Sequence, residues 1–112
     1  MDEFSIKSER NGNTAVITVS GRVDSATAGT LDEELGKLVH RDNKIVLDLK
    51  DVSYLSSAGV RSIVRAAQSA EKSGGSLKLA RIPNQVMQVL ENVGLMQMFQ
   101  SYLSVDEAIA SF

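Results

Sequence analysis

The chain contains no cysteine and no tryptophan, and it has one proline and one histidine. Without cysteine there is neither a disulfide framework nor thiolate chemistry. With a single imidazole, His40, there is no histidine pair for a metal. A nucleophilic hydroxyl would have only this one distant base, placed near the end of a predicted helix, where a cationic side chain suits the helix dipole. Aromatics amount to 4% of residues, and the basic side chains Arg61, Arg65, Lys72, Lys78 and Arg81 are scattered, so nothing here stacks on or tracks a nucleic acid. Excess charge is also missing: 12 Lys and Arg stand against 14 Asp and Glu, a net charge of -2, which implies neither a polyanion nor an anionic membrane as partner. No apolar run approaches the roughly 20 residues of a membrane helix, so direct membrane insertion is not expected. The opening "MDEFSIKSER" lacks the apolar stretch of a signal peptide, which with the absent cysteines leads to the expectation of a cytoplasmic protein.

Catalytic and cofactor motifs are missing as well. "GRVDSATAGT" has no G-K-[ST] ending to cradle phosphates, and "LSSAGV" lacks the first glycine of a G-x-S-x-G elbow. "LDEE" is a solvated helix face rather than a metal cluster. The expectation is a protein without catalytic residues, metal or cofactor.

What is present is an ordinarily globular composition, 43% hydrophobic and 23% charged, over 112 residues, the length of one domain spanning 1–112. "FSIKSER" and "TAVITVSG" alternate around the turn residues "NGN", predicting a β-hairpin. In "DSATAGTLDEELGKLVH" the period changes, with Ala28, Leu31, Leu35, Leu38 and Val39 on one helical stripe and Thr30 with Glu33 resembling a capping box. "KIVLDL" at 44–49 reads as a strand covered on both faces. Val60, Ile63, Val64, Ala67 and Ala70 then keep helical spacing until "SGG" at 73–75. "SLKLAR" alternates again, Pro83 is placed to open a helix carrying Val86, Val89, Leu90 and Val93, and "MFQSYL" reads as a weaker strand. Ser104 with Glu107 forms a capping box for a short last helix. Met87, Met96 and Met98 read as core filling or as an adaptable contact surface. The order β-β-α-β-α-β-α-β-α predicts an α/β fold, a mixed sheet with about four helices packed on it. Right-handed crossovers would place the strand-to-helix turns along one edge.

One of those turns, "SYLSSAGV" at 53–60, has more than it needs. One serine, Ser56 or Ser57, is enough to cap the helix, a contribution of roughly 1 kcal/mol. Gly59 in the first turn costs close to 1 kcal/mol of helix stability, which points to a need for close approach to the backbone. A phosphate on either serine would add about -1.5 to -2 charge at a helix N-terminus, where free N–H groups and the dipole favour an anion.

The string "LDLKDVSYLSSAGVRSIVRA", together with "VSGRVDSATA" and "GGSLKLARIPNQVMQVLENVGL", resembles the anti-sigma factor antagonists of the STAS domain family (sulphate transporter and anti-sigma factor antagonist) over nearly the whole chain. That family commonly carries D-S-[ST]-G at the turn, with the first serine phosphorylated. Laid onto S-S-A-G, the resemblance assigns the phosphorylation to Ser57, with Ser56 as second choice. It replaces the next hydroxyl by Ala58, keeps Gly59, and puts Ser56 where the aspartate is often found. Asp24 matches the aspartate of the family's early motif, although a helix-cap role explains it equally well.

What the resemblance implies is a partner switch. The unphosphorylated form binds an anti-sigma factor with serine kinase activity and releases the sigma factor, phosphorylation of Ser57 ends binding, and a serine phosphatase resets the protein. The implied partner surface comprises Asp24, Ser56, Ser57, Ala58, Gly59, Arg61 and Arg65, where both arginines read equally as plain solvated charges. The alternative is a stand-alone STAS subunit of a membrane transporter or lipid-transport complex that is not phosphorylated.

Overall fold

β1 (Ser5–Asn11) and β2 (Thr14–Val23) form the expected antiparallel hairpin, in register from Asn11↔Thr14 to Ser5↔Ser20. The turn between them has only two residues, and Gly12 takes the left-handed φ of +63° that such a turn requires. These coordinates come from a computed structural model, which describes residues 3–112.

Among the described residues the order continues with α1 (Ala28–Arg41), β3 (Lys44–Leu55), α2 (Ser57–Lys72), β4 (Ser76–Ala80), α3 (Asn84–Asn92), a 3₁₀ turn at Met96–Met98, β5 (Ser101–Tyr102) and α4 (Val105–Ala110). The strands make one mixed sheet in the order β1-β2-β3-β4-β5, parallel everywhere except at the hairpin. Because the strand order follows the chain order, successive crossovers of one hand put their helices on one face. Leu31 and Leu35 of α1, Ile63 and Ala70 of α2, and Val86 and Leu90 of α3 accordingly share one core with Ile17, Leu47 and Leu79. On the opposite face Val16, Val46 and Ala80 are covered by Ala108 of α4. Coverage from both sides explains the nearly continuous apolar run of "KIVLDL". Burying each of the large side chains contributes about 1.5–3 kcal/mol.

Several sequence expectations are adjusted by the packing. The Thr30 and Glu33 capping box does not form, because the helical ladder already runs there: Leu31 N–H donates to Thr27 O at 3.1 Å. The box at the last helix does form its cap, with Ser104 Oγ accepting from Glu107 N–H at 3.1 Å. β3 is longer than its apolar run and continues to Leu55, skipping register against β2 between Thr18 and Ser20 and again between Gly21 and Arg22. Met96 packs against the core, whereas Met98 is 49% exposed. Lys78, expected among scattered surface charges, is buried: its ammonium donates to Ser111 O at 3.1 Å and Ser111 Oγ at 2.8 Å and lies 4.3 Å from the centre of the Phe112 ring, fastening the C-terminal turn to the sheet. Buried Asp48 forms a two-point ion pair with Arg81, which leaves β4 in a left-handed conformation (φ 54°).

Candidate functional site at the serine turn

At its C-terminal end β3 reaches past β4, and its last residue, Leu55, pairs with Val23 at the end of β2. There the chain turns into α2. Ser56 N–H donates to Val23 O at 2.8 Å, tying the turn to the neighbouring strand, and Ser56 itself stays extended (φ -83°, ψ 168°). Its Oγ accepts from Gly59 N–H at 3.2 Å while its carbonyl accepts from Val60 N–H at 2.9 Å, so Ser56 is the N-cap of α2. Serine and aspartate cap helices about equally well, so the aspartate often found here in the resembled family and this chain's Ser56 can do the same structural work.

Ser57 is therefore the hydroxyl left over. It is the first helical residue, it is exposed, and its Oγ has no hydrogen-bond partner among the described residues. This position lies at the positive end of the helix dipole, in a first turn whose Gly59 and Val60 N–H groups are already taken by Ser56. Ala58 beside it is half-buried. Gly59 is buried, and the close approach it permits is made by the fold's own strands: a Cβ there would stand 2.6 Å from Val23 Cγ1 and 2.7 Å from Leu55 Cδ1. The absence of a side chain lets α2 start directly against the ends of β2 and β3.

Asp24 follows β2 and lies beside the turn through the Ser56–Val23 bond. Its carboxylate accepts from Ala26 N–H at 2.9 Å, Thr27 N–H at 3.2 Å and Arg22 Nε at 3.1 Å, closing the loop that leads into α1. Desolvation pushes its pKa up, but the Ala26 N–H, Arg22 and the Thr27 N–H together outweigh it and hold the carboxyl below its ordinary value. Asp24 thus serves as the loop's cap.

The two arginines differ. Arg65 is committed to α1, its Nε 3.0 Å and its Nη2 2.9 Å from Asp32 Oδ1. Arg61, one turn after Ser57 on the same side of α2, is exposed and has no ion pair among the described residues. His40 is exposed in the last turn of α1, as the dipole argument expects.

Sequence reasoning missed two neighbours of the turn. Arg22 and Tyr54 pair across β2 and β3, with the guanidinium 4.2 Å from the ring centre and the ring 41% exposed. The signal was available, since "VSYL" places an aromatic at the outward position of an alternating strand just ahead of the turn. The surface at this end of the sheet thus combines a free hydroxyl, a stacked cation and aromatic, and an uncommitted arginine. No imidazole or carboxylate touches Ser57 Oγ among the described residues, so no general base stands beside the hydroxyl there. Among the described residues there is also no cluster of potential metal ligands and no helix long and apolar enough to cross a membrane.

The STAS domain family model matches residues 5–108. The chain belongs to the STAS domain family. Within that family it is 31% identical over 87 residues to the anti-sigma-B factor antagonist of Bacillus subtilis, covering 78% of this chain and 80% of the relative. Its fold matches the crystal structure of an anti-sigma factor antagonist from Mycobacterium paratuberculosis with a TM-score of 0.88 at 24% identity, covering 98% of this STAS domain and 94% of that chain. It also matches the phosphorylated form of the Bacillus cell fate determinant SpoIIAA, with a TM-score of 0.72 at 18% identity over 97% of this chain and 98% of that one.

Proposed function

We propose that this STAS domain is an anti-sigma factor antagonist that works as a partner switch at Ser57. The observation that carries the reading is the division of labour in the turn: Ser56 Oγ is occupied by the cap, and Ser57 Oγ is exposed and free. Unphosphorylated, the end of the sheet at Asp24, Ser56, Ser57 and Ala58, with buried Gly59 seating the turn against β2 and β3 beneath them, docks on an anti-sigma factor with serine kinase activity and displaces its sigma factor. Arg61, exposed one turn further along α2, extends this surface, and Arg65, held by Asp32 of α1, follows a turn beyond it. The kinase transfers the terminal phosphoryl group of ATP to Ser57 Oγ, releasing ADP and the hydroxyl proton.

The added phosphate brings about -1.5 to -2 charge. At a helix N-terminus, with Arg61 one turn away, the fold accommodates it. A docked partner does not, because one arginine leaves part of a doubly charged phosphate uncompensated, and a partner that offers no cation of its own must bury that excess at a cost of several kcal/mol, or orders of magnitude in affinity. A serine phosphatase then restores the hydroxyl.

The test is incubation with ATP and the serine kinase-type anti-sigma factor of the same genome, followed by mapping of phosphate by mass spectrometry. The expected result is phosphate on Ser57, none in Ser57→Ala, and binding lost in Ser57→Asp. Stable binding by both variants with no phosphate transferred would overturn the proposal and favour a non-phosphorylated STAS subunit of a transporter or lipid-transport complex.

A further inference from the structure

We propose that β1 is a homodimerisation edge, on which a second copy of this chain adds its own β1 antiparallel to form one continuous sheet. β1 is the outermost strand, pairs only with β2 among the described residues, and is exposed from Lys7 to Asn11. Asn11 and Thr14 close a two-residue turn, which makes them a hydrogen-bonded pair. Alternation along the ladder then turns the backbone groups of Asn11, Glu9, Lys7 and Ser5 toward β2 and those of Arg10, Ser8 and Ile6 outward. An antiparallel partner must use these outward residues, which leaves Lys7 and Glu9 in the closer, non-hydrogen-bonded positions across the new seam.

Charge selects the register. With Ser8 opposite the partner's Ser8, Ile6 and Arg10 face the partner's Arg10 and Ile6 with both backbone bonds exchanged, and Lys7 lies opposite the partner's Glu9, as Glu9 does the partner's Lys7. A slip by one pair either way sets Lys7 against the partner's Lys7 or Glu9 against the partner's Glu9. A larger slip sets Arg10 against the partner's Arg10 or Glu9 against the partner's Glu3. Like charges directly opposite one another destabilise a ladder, and opposite charges stabilise it. Charged residues on an edge strand ordinarily discourage pairing. Here their order is self-complementary in one register, so the same residues exclude the slipped pairings and admit one two-fold dimer. Ile6 packs against the core on the other face, and Arg10 is held there by Asp42 at 2.5 Å, so the edge is already ordered. The seam is lateral, and the serine turn stays open in both copies, at opposite ends of the joined sheet.

A single edge is small beside the roughly 1,600 Å² of a standard interface, so the association is weak and sensitive to salt. The test is sedimentation of the full chain from about 10 μM to about 1 mM at low and high salt. The expected result is a concentration-dependent dimer, weakened at high salt. Lys7→Glu and Glu9→Lys should each raise its dissociation constant about tenfold or more, with an unchanged circular dichroism spectrum because both side chains are exposed. An equimolar mixture of the two variants should associate again, because the reversed charges then oppose each other across the seam. A monomer throughout the range, a dimer indifferent to both variants, or a mixture no tighter than either variant alone would overturn the proposal.

Discussion

Replacing Gly59 by alanine tests the claim that this glycine is demanded by packing inside the fold. The new Cβ would stand 2.6 Å from Val23 Cγ1 and 2.7 Å from Leu55 Cδ1, where ordinary contact begins at 3.4 Å. Val23 is 0% and Leu55 2% exposed, so neither side chain can swing into solvent. The start of α2 must instead lift by somewhat under about 1 Å, or the two strand ends must part. Overpacking of this kind costs about 1–3 kcal/mol. Alanine recovers up to about 1 kcal/mol of helix propensity, and less in a first turn than in a helix interior. The net expectation is a loss of about 1–2 kcal/mol. Gly36→Ala supplies the contrast, because Gly36 lies inside α1 with nothing within 4 Å of its would-be Cβ, and the same chemical change there should stabilise by about 0.5–1 kcal/mol. Urea unfolding of the three proteins gives both numbers as shifts in midpoint at constant slope. If Gly59→Ala matches or exceeds the parent in stability, or if the two variants shift together, the packing argument is wrong.

Ser56→Ala should lose the cap and about 0.5–2 kcal/mol, while Ser56→Asp should stay close to the parent in the same unfolding assay. Phosphate mapping should find Ser57 still modified in both. Asp48→Asn should destabilise by about 1–3 kcal/mol, because it leaves the guanidinium of Arg81 without its charged partner; partial exposure of Arg81 keeps the loss below that of a fully buried pair, and thermal unfolding reads it. The Asp24 carboxyl has its pKa lowered in the folded state, so its contribution is present above the ordinary carboxylate pKa and is lost as pH falls through the lower folded value. Asp24→Asn should therefore be less stable than the parent at neutral pH, and the gap should narrow as pH drops below about 4. A gap that is constant across the acid limb would show that the charge is not what holds the loop.

Periodicity and turn chemistry are local properties, and what rests on them could be read from the amino-acid order. The stripe Ala28, Leu31, Leu35, Leu38 and Val39, the hairpin around Gly12, the stop at "SGG" and the cap at Ser104 are all encoded within a few residues of where they act. The position of the site at a strand-to-helix turn was legible for the same reason. Its internal roles were not. Which serine caps and which is free depends on the backbone angles of Ser56, and those are imposed by its bond to Val23 O, a residue far away in the chain. The reason for Gly59 lies in the side chains of Val23 and Leu55, the commitment of Arg65 lies in Asp32, and the burial of Lys78 lies in the last two residues of the chain. Tyr54 and Arg22 become one surface feature only when the skipped register sets them side by side on neighbouring strands. Local periodicity and turn chemistry encode the order of the elements and the turn that carries the hydroxyls, whereas the strand expected at "MFQSYL" shrinks to Ser101–Tyr102 behind a 3₁₀ turn at Met96–Met98. Tertiary structure alone decided which hydroxyl is available, because availability depends on contacts between residues that only the folded sheet brings together.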